Sequence, residues 1–502
     1  MRDGEARSDR REAFLIFAAA LIFRAAYLLF FSQPGLEVWK YQELALRFRG
    51  VLAPPPLPFF SSPGYIGLVA LFQGSGGGML LLKLAQGLVD AGSCYLICLL
   101  GRRWFGAAVS RLAGLGAVAY QGFLLHSATL LPAVWIVFFN LLALWFLTRW
   151  KDEGKELWLG KAGLALGLSL ILRPNIFIFI LGTGFWLLLQ PGRRRGRRLA
   201  CLGIGVIIPL APVTAWNART GELIPVTASG GWVFFSANNK QANGFSYSPP
   251  RELEEVMTSY YASPEAELGY VEHLCCLELA RSDSGLPLTP GQASSHWARK
   301  GWEFFRDNPR RGLILLLRKT QSLISAYEPH DLPEVLLRAG RLPRWAPGPG
   351  WVIPLALLGL LSGGLRGKSL LGTYLAAYLL GLLLLYVTPR YRLPLLPVLL
   401  LLAADVLVRS FSLLQARAWG KLGSQLLVLI LLAGVSSWMP QALRRDRDSA
   451  RPAFLEEWRG LNELRNGEKN KAKAHFLRAL RMNPSSFRAR CGLNQLEENE
   501  PS

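Results

Sequence analysis

Two guanidinium groups stand two residues apart in Thr388-Pro389-Arg390-Tyr391-Arg392-Leu393-Pro394, between long apolar runs. A charge at a bilayer centre costs roughly 2.5–3.5 kcal/mol on insertion scales, so an arginine there is usually held by a partner. Its planar fork takes phosphate oxygens in pairs, and a lipid-linked phosphate therefore suits Arg390 and Arg392. Snorkelling arginines at a helix end would look the same in isolation. A second group capable of chemistry lies in Glu37-Val38-Trp39-Lys40-Tyr41-Gln42-Glu43, just past the first apolar run. On a helix Glu37 and Tyr41 share a face. A carboxylate against an apolar wall is shifted toward the general-base range, although a solvated interfacial acid fits the same residues. Arg173-Pro174-Asn175 breaks an apolar stretch of about 32 residues and puts a cation at the break. It reads either as a ligand contact or as a hairpin turn with an interfacial arginine. Asn217, Gly230-Gly231-Trp232, Asn238-Asn239 and Asn243-Gly244 suit sugar recognition through amide bonds and ring stacking, and they suit plain turns equally.

The elements that must position these groups are membrane helices. Of 502 residues, 51% are hydrophobic, and they fall in blocks of helix-spanning length. The formal charge of +22 does not point to nucleic acid, because its densest run, Arg193–Arg198, is a short loop between apolar blocks. Eleven candidate spans follow, near residues 13–32, 79–100, 107–125, 127–148, 159–173, 175–190, 199–216, 351–365, 369–388, 393–409 and 423–439. The first carries Arg24 and no cleavage site follows it, so it reads as a retained helix. With the N-terminus inside, Arg102-Arg103, Arg149, Lys151, Lys155, Arg193–Arg198, Arg366, Lys368, Arg409, Arg417 and Lys421 all fall inside. The opposite face then receives Glu37, Arg173, Arg390, an insert and the tail. Cys94, Cys98 and Cys201 lie in apolar runs and Cys275-Cys276 are adjacent, so no disulfide framework is implied. Gly74–Gly78 lacks the phosphate-loop spacing and reads as a connector.

The expected fold is an all-α polytopic membrane protein of about eleven transmembrane helices. Its divisions are an N-terminal transmembrane region with the first outer loop (1–216), an extracytoplasmic insert (217–350), C-terminal transmembrane helices (351–440) and a helical tail (441–502). Within the insert, Trp302–Tyr327 reads as a helix on or entering the membrane surface. In the tail, Gly467…Ala472, Phe476, Ala479-Leu480 and Pro484 match the second half of a tetratricopeptide repeat and the start of the next. One repeat cannot bury its face alone, so the tail is expected to dock on the insert or on a protein partner.

Taken in order, these segments resemble the GT-C superfamily of membrane glycosyltransferases, nearest the protein O-mannosyltransferases and lipid A aminoarabinose transferases. The resemblance rests on Arg24, Glu37…Tyr41, Ala45, Gly50, Ser62-Pro63-Gly64-Tyr65, Gln86…Tyr95…Arg103-Trp104-Phe105-Gly106, Gly163…Arg173-Pro174-Asn175 and Arg390-Tyr391-Arg392…Pro394. It implies a sugar donor carried on polyprenyl phosphate and an acceptor glycan, lipid or protein outside the membrane. It implies Glu37 as the base that deprotonates an acceptor hydroxyl, with inversion at the anomeric carbon. Arg390 and Arg392, and more weakly Arg173, would stabilise the departing phosphate. Tyr41, Tyr391, Asn238 and Asn239 would line the substrate. No cofactor is called for; a divalent metal is compatible with the sequence but nothing indicates one. Two positions depart from the family: the first acid is usually aspartate, and a second acid expected near Leu130–Ala133 is replaced by Ala133, with only His126 ionisable nearby. Two other classes stay open, a lipid-linked sugar flippase and a non-catalytic scaffold carrying the tail. The implied location is a bacterial inner (plasma) membrane, with the active site facing the periplasm or exterior.

Overall fold

Apolar runs fold as helices because lipid offers the backbone no hydrogen-bond partner, so each segment must satisfy its own amides. The computed structural model describes residues 2–31, 39–52, 57–74, 77–245, 247, 250, 252–253, 257, 269–329, 346–385 and 387–498. Its described residues are helices and loops, without strands. All eleven expected spans meet a helix, but not all of them are long. Six are long and apolar enough to cross a membrane: Arg11–Phe30, Gly78–Phe105, Ala133–Glu153, Arg195–Ala218, Pro389–Gln415 and Trp419–Ser437. Ala107–Ala119 and Gln121–Ser127 make a seventh as a pair bent by 51°. The other four expected spans are short apolar helices, Leu157–Leu172, Pro174–Leu189, Pro349–Leu361 and Ser369–Leu384. Sixteen residues rise about 24 Å, less than the hydrocarbon thickness of about 30 Å. Proline and glycine shorten them: Pro174 ends one helix and opens the next, and Gly363 and Gly367 turn the chain at positive φ after Leu361.

Leu157–Leu172 and Arg195–Ala218 pack along their length with almost no side chain between them. A Cβ on Gly163 would stand 2.1 Å from the Leu202 carbonyl oxygen, and one on Gly205 2.3 Å from that of Gly160. Gly167 meets Val206 and Pro209 further along, so the two helices run in the same direction. Such close contact through glycine is the small-residue packing typical of bilayers, and Pro174–Leu189 connects the two helices in sequence.

The bundle has two chemically distinct ends. One gathers the basic loops through Arg111–Glu12 (3.8 Å), Arg103–Asp152 (3.0 Å), Arg197–Glu156 (3.5 Å), Lys368 over the Phe105 ring and Arg409 on Asp405. The other end carries the insert. There Phe59 N–H donates to Asn217, Asn238 donates to the Leu384 carbonyl, and Ala326 N–H donates to the Ser436 carbonyl.

Between the ends, Arg24 is fully buried. Its Nε donates to Asp90 at 2.7 Å, and its two Nη atoms donate to the Val118 and Ala117 carbonyls. Those carbonyls belong to the last turn before the 51° bend at Tyr120, where a helix runs out of intrahelical donors.

The insert has its own core, in which Trp232 meets Trp297 edge-on at 5.0 Å over Val271, Cys275, Cys276 and Ala293. The expected single helix over Trp302–Tyr327 is two, Pro290–Asp307 and Pro309–Ile324, because Pro309 opens a new helix after Asn308. In the tail, Arg451–Arg465, Lys469–Met482 and Phe487–Glu498 pack around the buried Phe476 ring. The tail is tied to the insert side where Tyr327 OH donates to Asp446 at 2.9 Å.

Candidate active site

The Arg-Tyr-Arg segment is a four-residue helical turn, Pro389–Arg392, at the head of the long Pro389–Gln415 helix. Thr388 is extended, as a residue before proline prefers, and Pro389 opens the turn. Arg173 occupies the break between two short helices for the same reason: it precedes Pro174 and is extended, φ −157° and ψ 114°. The two breaks meet. Arg173 Nη1 donates to the Arg390 carbonyl at 3.0 Å, and its guanidinium lies 4.2 Å from the centre of the Tyr391 ring. The Arg390 guanidinium is 5.5 Å from that ring. Tyr391 is thus a platform between two cations contributed by segments more than two hundred residues apart.

Arg392 corrects the expectation from sequence. It is buried, and its fork is already committed to protein oxygens: Nη1 donates to the carbonyls of Ser325 (2.9 Å), Ser322 (3.3 Å) and Leu323 (3.5 Å), and Nη2 meets Glu328 at 3.0 Å. It braces the last turn of the Pro309–Ile324 helix against the bundle, because carbonyls at a helix C-terminus lack intrahelical donors and attract a cation. Asn238 and Asn239 are corrected too. Asn238 caps the Gly230–Ala237 helix by donating to Phe234, also donates to the Leu384 carbonyl, and accepts from the buried Lys319 at 2.7 Å. Asn239 donates to Phe235 and Ser236 and accepts from Gln241 N–H. The Asn238 amide thus holds the insert to the bundle, while the Asn239 amide closes the end of its own helix.

Glu37 lies outside the described residues. The helix two residues further on, Trp39–Phe48, places its neighbours. Tyr41 packs edge-on against Tyr65 at 4.8 Å, and Tyr65 OH donates to Gln86, which donates to the carbonyls of Ser127 and Thr129. Glu43 accepts from Gly269 N–H at 3.1 Å and from Arg47. His126 is buried with Nδ1 on the Gly122 carbonyl, and Ala133 is buried at the start of its helix.

Lys40 leads to a residue that sequence reasoning passed over. Its Nζ meets Glu272 at 2.9 Å, and Tyr247 OH donates to the same carboxylate at 3.1 Å while accepting from Trp232 Nε1. Burial alone would raise the pKa of Glu272, but the Lys40 charge and hydrogen bond, the Tyr247 bond and the Arg390 charge outweigh it and hold the carboxyl below its usual range. Next to it, burial and the Lys40 charge lower His273 to about 4. Its ring is stacked on Phe60 at 4.7 Å. Glu272 is one of several acids in the insert, and nothing in its spacing marks it. Among the described residues no cluster of three or more His, Cys, Asp or Glu side chains is arranged to hold a metal ion.

A family model described as dolichyl-phosphate-mannose-protein mannosyltransferase matches residues 65–216, a stretch that includes Tyr65, Gln86 and Arg173. Over those residues the match agrees with the resemblance to GT-C membrane glycosyltransferases, and the described residues form an all-α polytopic membrane protein. Among solved structures, the oligosaccharyltransferase of Archaeoglobus fulgidus tethered with an acceptor peptide is 14% identical with a TM-score of 0.42, over 92% of this chain and 58% of that one. This chain thus spans less than two thirds of that enzyme's length. ArnT from Cupriavidus metallidurans in the apo state is 17% identical with a TM-score of 0.35, over 80% of this chain and 78% of that one. The same enzyme bound to undecaprenyl phosphate is 16% identical at the same TM-score and coverage. No curated protein matches.

Proposed function

We propose that the protein is an inverting glycosyltransferase that moves a sugar from a polyprenyl-phosphate donor to an acceptor hydroxyl on the outer face of the membrane. The observation that carries this reading is a chain of cations at the bundle end opposite the basic loops: Arg173 and Arg390 lie over the Tyr391 ring, and Lys40 and Arg390 both act on Glu272. Three cations from the first outer helix, a helix break and the C-terminal bundle suit a phosphate whose lipid tail stays in the bilayer. The matched family supports the donor class over its residues.

In this reading Glu37 takes the proton of the acceptor hydroxyl as its oxygen attacks the anomeric carbon. The phosphate departs from the opposite face of the sugar, toward Arg390, with Arg173 and Lys40 adding positive potential. Arg173, fixed by its bond to the Arg390 carbonyl and its stack on Tyr391, adds that potential without reorganising as the bond breaks. The Tyr391 and Tyr41 rings offer apolar faces to the sugar. Translocation is disfavoured because the mid-membrane pair Arg24–Asp90 is enclosed, at 1% and 0% side-chain exposure, and Arg24 is bonded to backbone carbonyls.

The test is sugar release from labelled polyprenyl-phosphate-sugars in membranes. Glu37→Gln should lower turnover roughly 10²–10⁴-fold while donor binding persists. Full activity in Glu37→Gln would refute the assignment of the base.

A further inference from the structure

The cation cluster already contains an anion, supplied by the protein itself. Glu272 reaches it from the insert helix Val271–Ser284 and places one carboxylate oxygen on Lys40 at 2.9 Å and the other on Tyr247 OH at 3.1 Å. Arg390 is near enough for its charge to act on the same group. The arrangement joins three parts of the chain that nothing else in their sequences relates: the first outer helix, the insert and the C-terminal bundle. This is not a core ion pair. The Lys40 and Glu272 side chains keep 24% and 21% of their exposure, so an incoming ligand can reach them.

A pair of cations brought together from separate elements repel one another unless an anion lies between them. A carboxylate offers what a phosphate headgroup offers, a negative charge spread over oxygens that accept from an ammonium and a guanidinium. A partly exposed ion pair is also weak enough to exchange. Tyr247, held at its oxygen by Trp232 Nε1, keeps Glu272 aimed at Lys40.

We propose that Glu272 is an internal counterion that occupies the Lys40 and Arg390 side of the site and is exchanged for the donor phosphate when the donor enters. The inference rests on the donor-site reading above and adds a residue that tunes donor affinity. A strut that merely joined the first outer helix to the insert would behave differently, because weakening it would loosen the site and lower affinity.

The experiment uses the full chain in nanodiscs of zwitterionic lipid, with farnesyl phosphate as the probe and farnesol as its uncharged control. Glu272→Gln should bind farnesyl phosphate tighter, by roughly two- to tenfold, with farnesol binding unchanged. Glu272→Asp keeps the charge but draws it back from Lys40, and should shift affinity in the same direction; it serves if the glutamine variant fails to fold. Unchanged or weaker phosphate binding in a folded Glu272 variant, with Arg390→Ala still losing binding, overturns the counterion while leaving the donor site standing. Wild-type binding by Arg390→Ala removes the donor site itself, and the counterion with it.

Discussion

Arg392→Met separates bracing from phosphate binding. The wild-type guanidinium satisfies the Ser325 carbonyl at 2.9 Å, that of Ser322 at 3.3 Å and Glu328 at 3.0 Å, from a side chain only 4% exposed. Methionine preserves much of the stem but leaves those acceptors and the Glu328 charge without their donor. Removing one partner of a buried pair costs about 3–5 kcal/mol. Glu328 keeps 27% exposure and can turn to water, so the lower end, about 3 kcal/mol, is expected. Thermal unfolding in detergent should show a clear fall in melting temperature. Farnesyl phosphate affinity, measured below the melting temperature, should stay near wild type. Unaltered stability combined with lost phosphate binding would refute the brace and return Arg392 to the role that its sequence context suggests.

Other perturbations test separate parts of the reading. Arg173→Ala removes both the stack on Tyr391 and the bond to the Arg390 carbonyl, and should raise the donor KM more than it lowers kcat, as steady-state kinetics will show. His273 titrates at about 4 when folded against 6.5 in its ordinary state, so between those values the unfolded chain binds more protons. Stability should therefore fall as pH drops from about 6.5 toward 4, and His273→Phe should lose that component; parallel pH curves for the two proteins would contradict it. Gly205→Ala places a methyl where 2.3 Å separates it from the Gly160 carbonyl oxygen, and should destabilise by about 1–3 kcal/mol in a denaturant titration. Cysteine labelling from outside should reach the insert and spare the Arg193–Arg198 loop; the reverse would invert the proposed orientation.

The helices were legible because lipid enforces a simple rule on long apolar runs, and the basic loops sorted themselves to one end. Arg173 and Arg390 were legible as candidates because a cation beside a proline break in an apolar run has few reasons to be there, and the structure brings the two together at Tyr391. Which way each arginine turns was not. Arg390 and Arg392 share a tripeptide, yet a helical turn sends them to different neighbours, and only the distant carbonyls at Ser322 and Ser325 decide that Arg392 faces inward. Asn238 failed for a related reason: its capping of one helix and its bonds to Leu384 and Lys319 depend on elements far along the chain. Glu272 had no local signal, since its significance comes from meeting Lys40 across more than two hundred residues. The break at Pro174 was legible as well, and the structure ends and restarts a helix there.

Arg24 bears on how the chain is assembled. Its partners are not yet made when the first helix enters the bilayer: Asp90 is 66 residues further on and the Val118 carbonyl 94. Until they arrive, the helix carries a charge that costs roughly 2.5–3.5 kcal/mol at the membrane centre. The first helix therefore has reason to linger at the insertion machinery until the second and third long segments emerge. A chain truncated before residue 90 leaves that charge without its carboxylate, whereas one extended past the bend at Tyr120 supplies every one of these partners. The order of synthesis is thus built into the same contact that fills the bend.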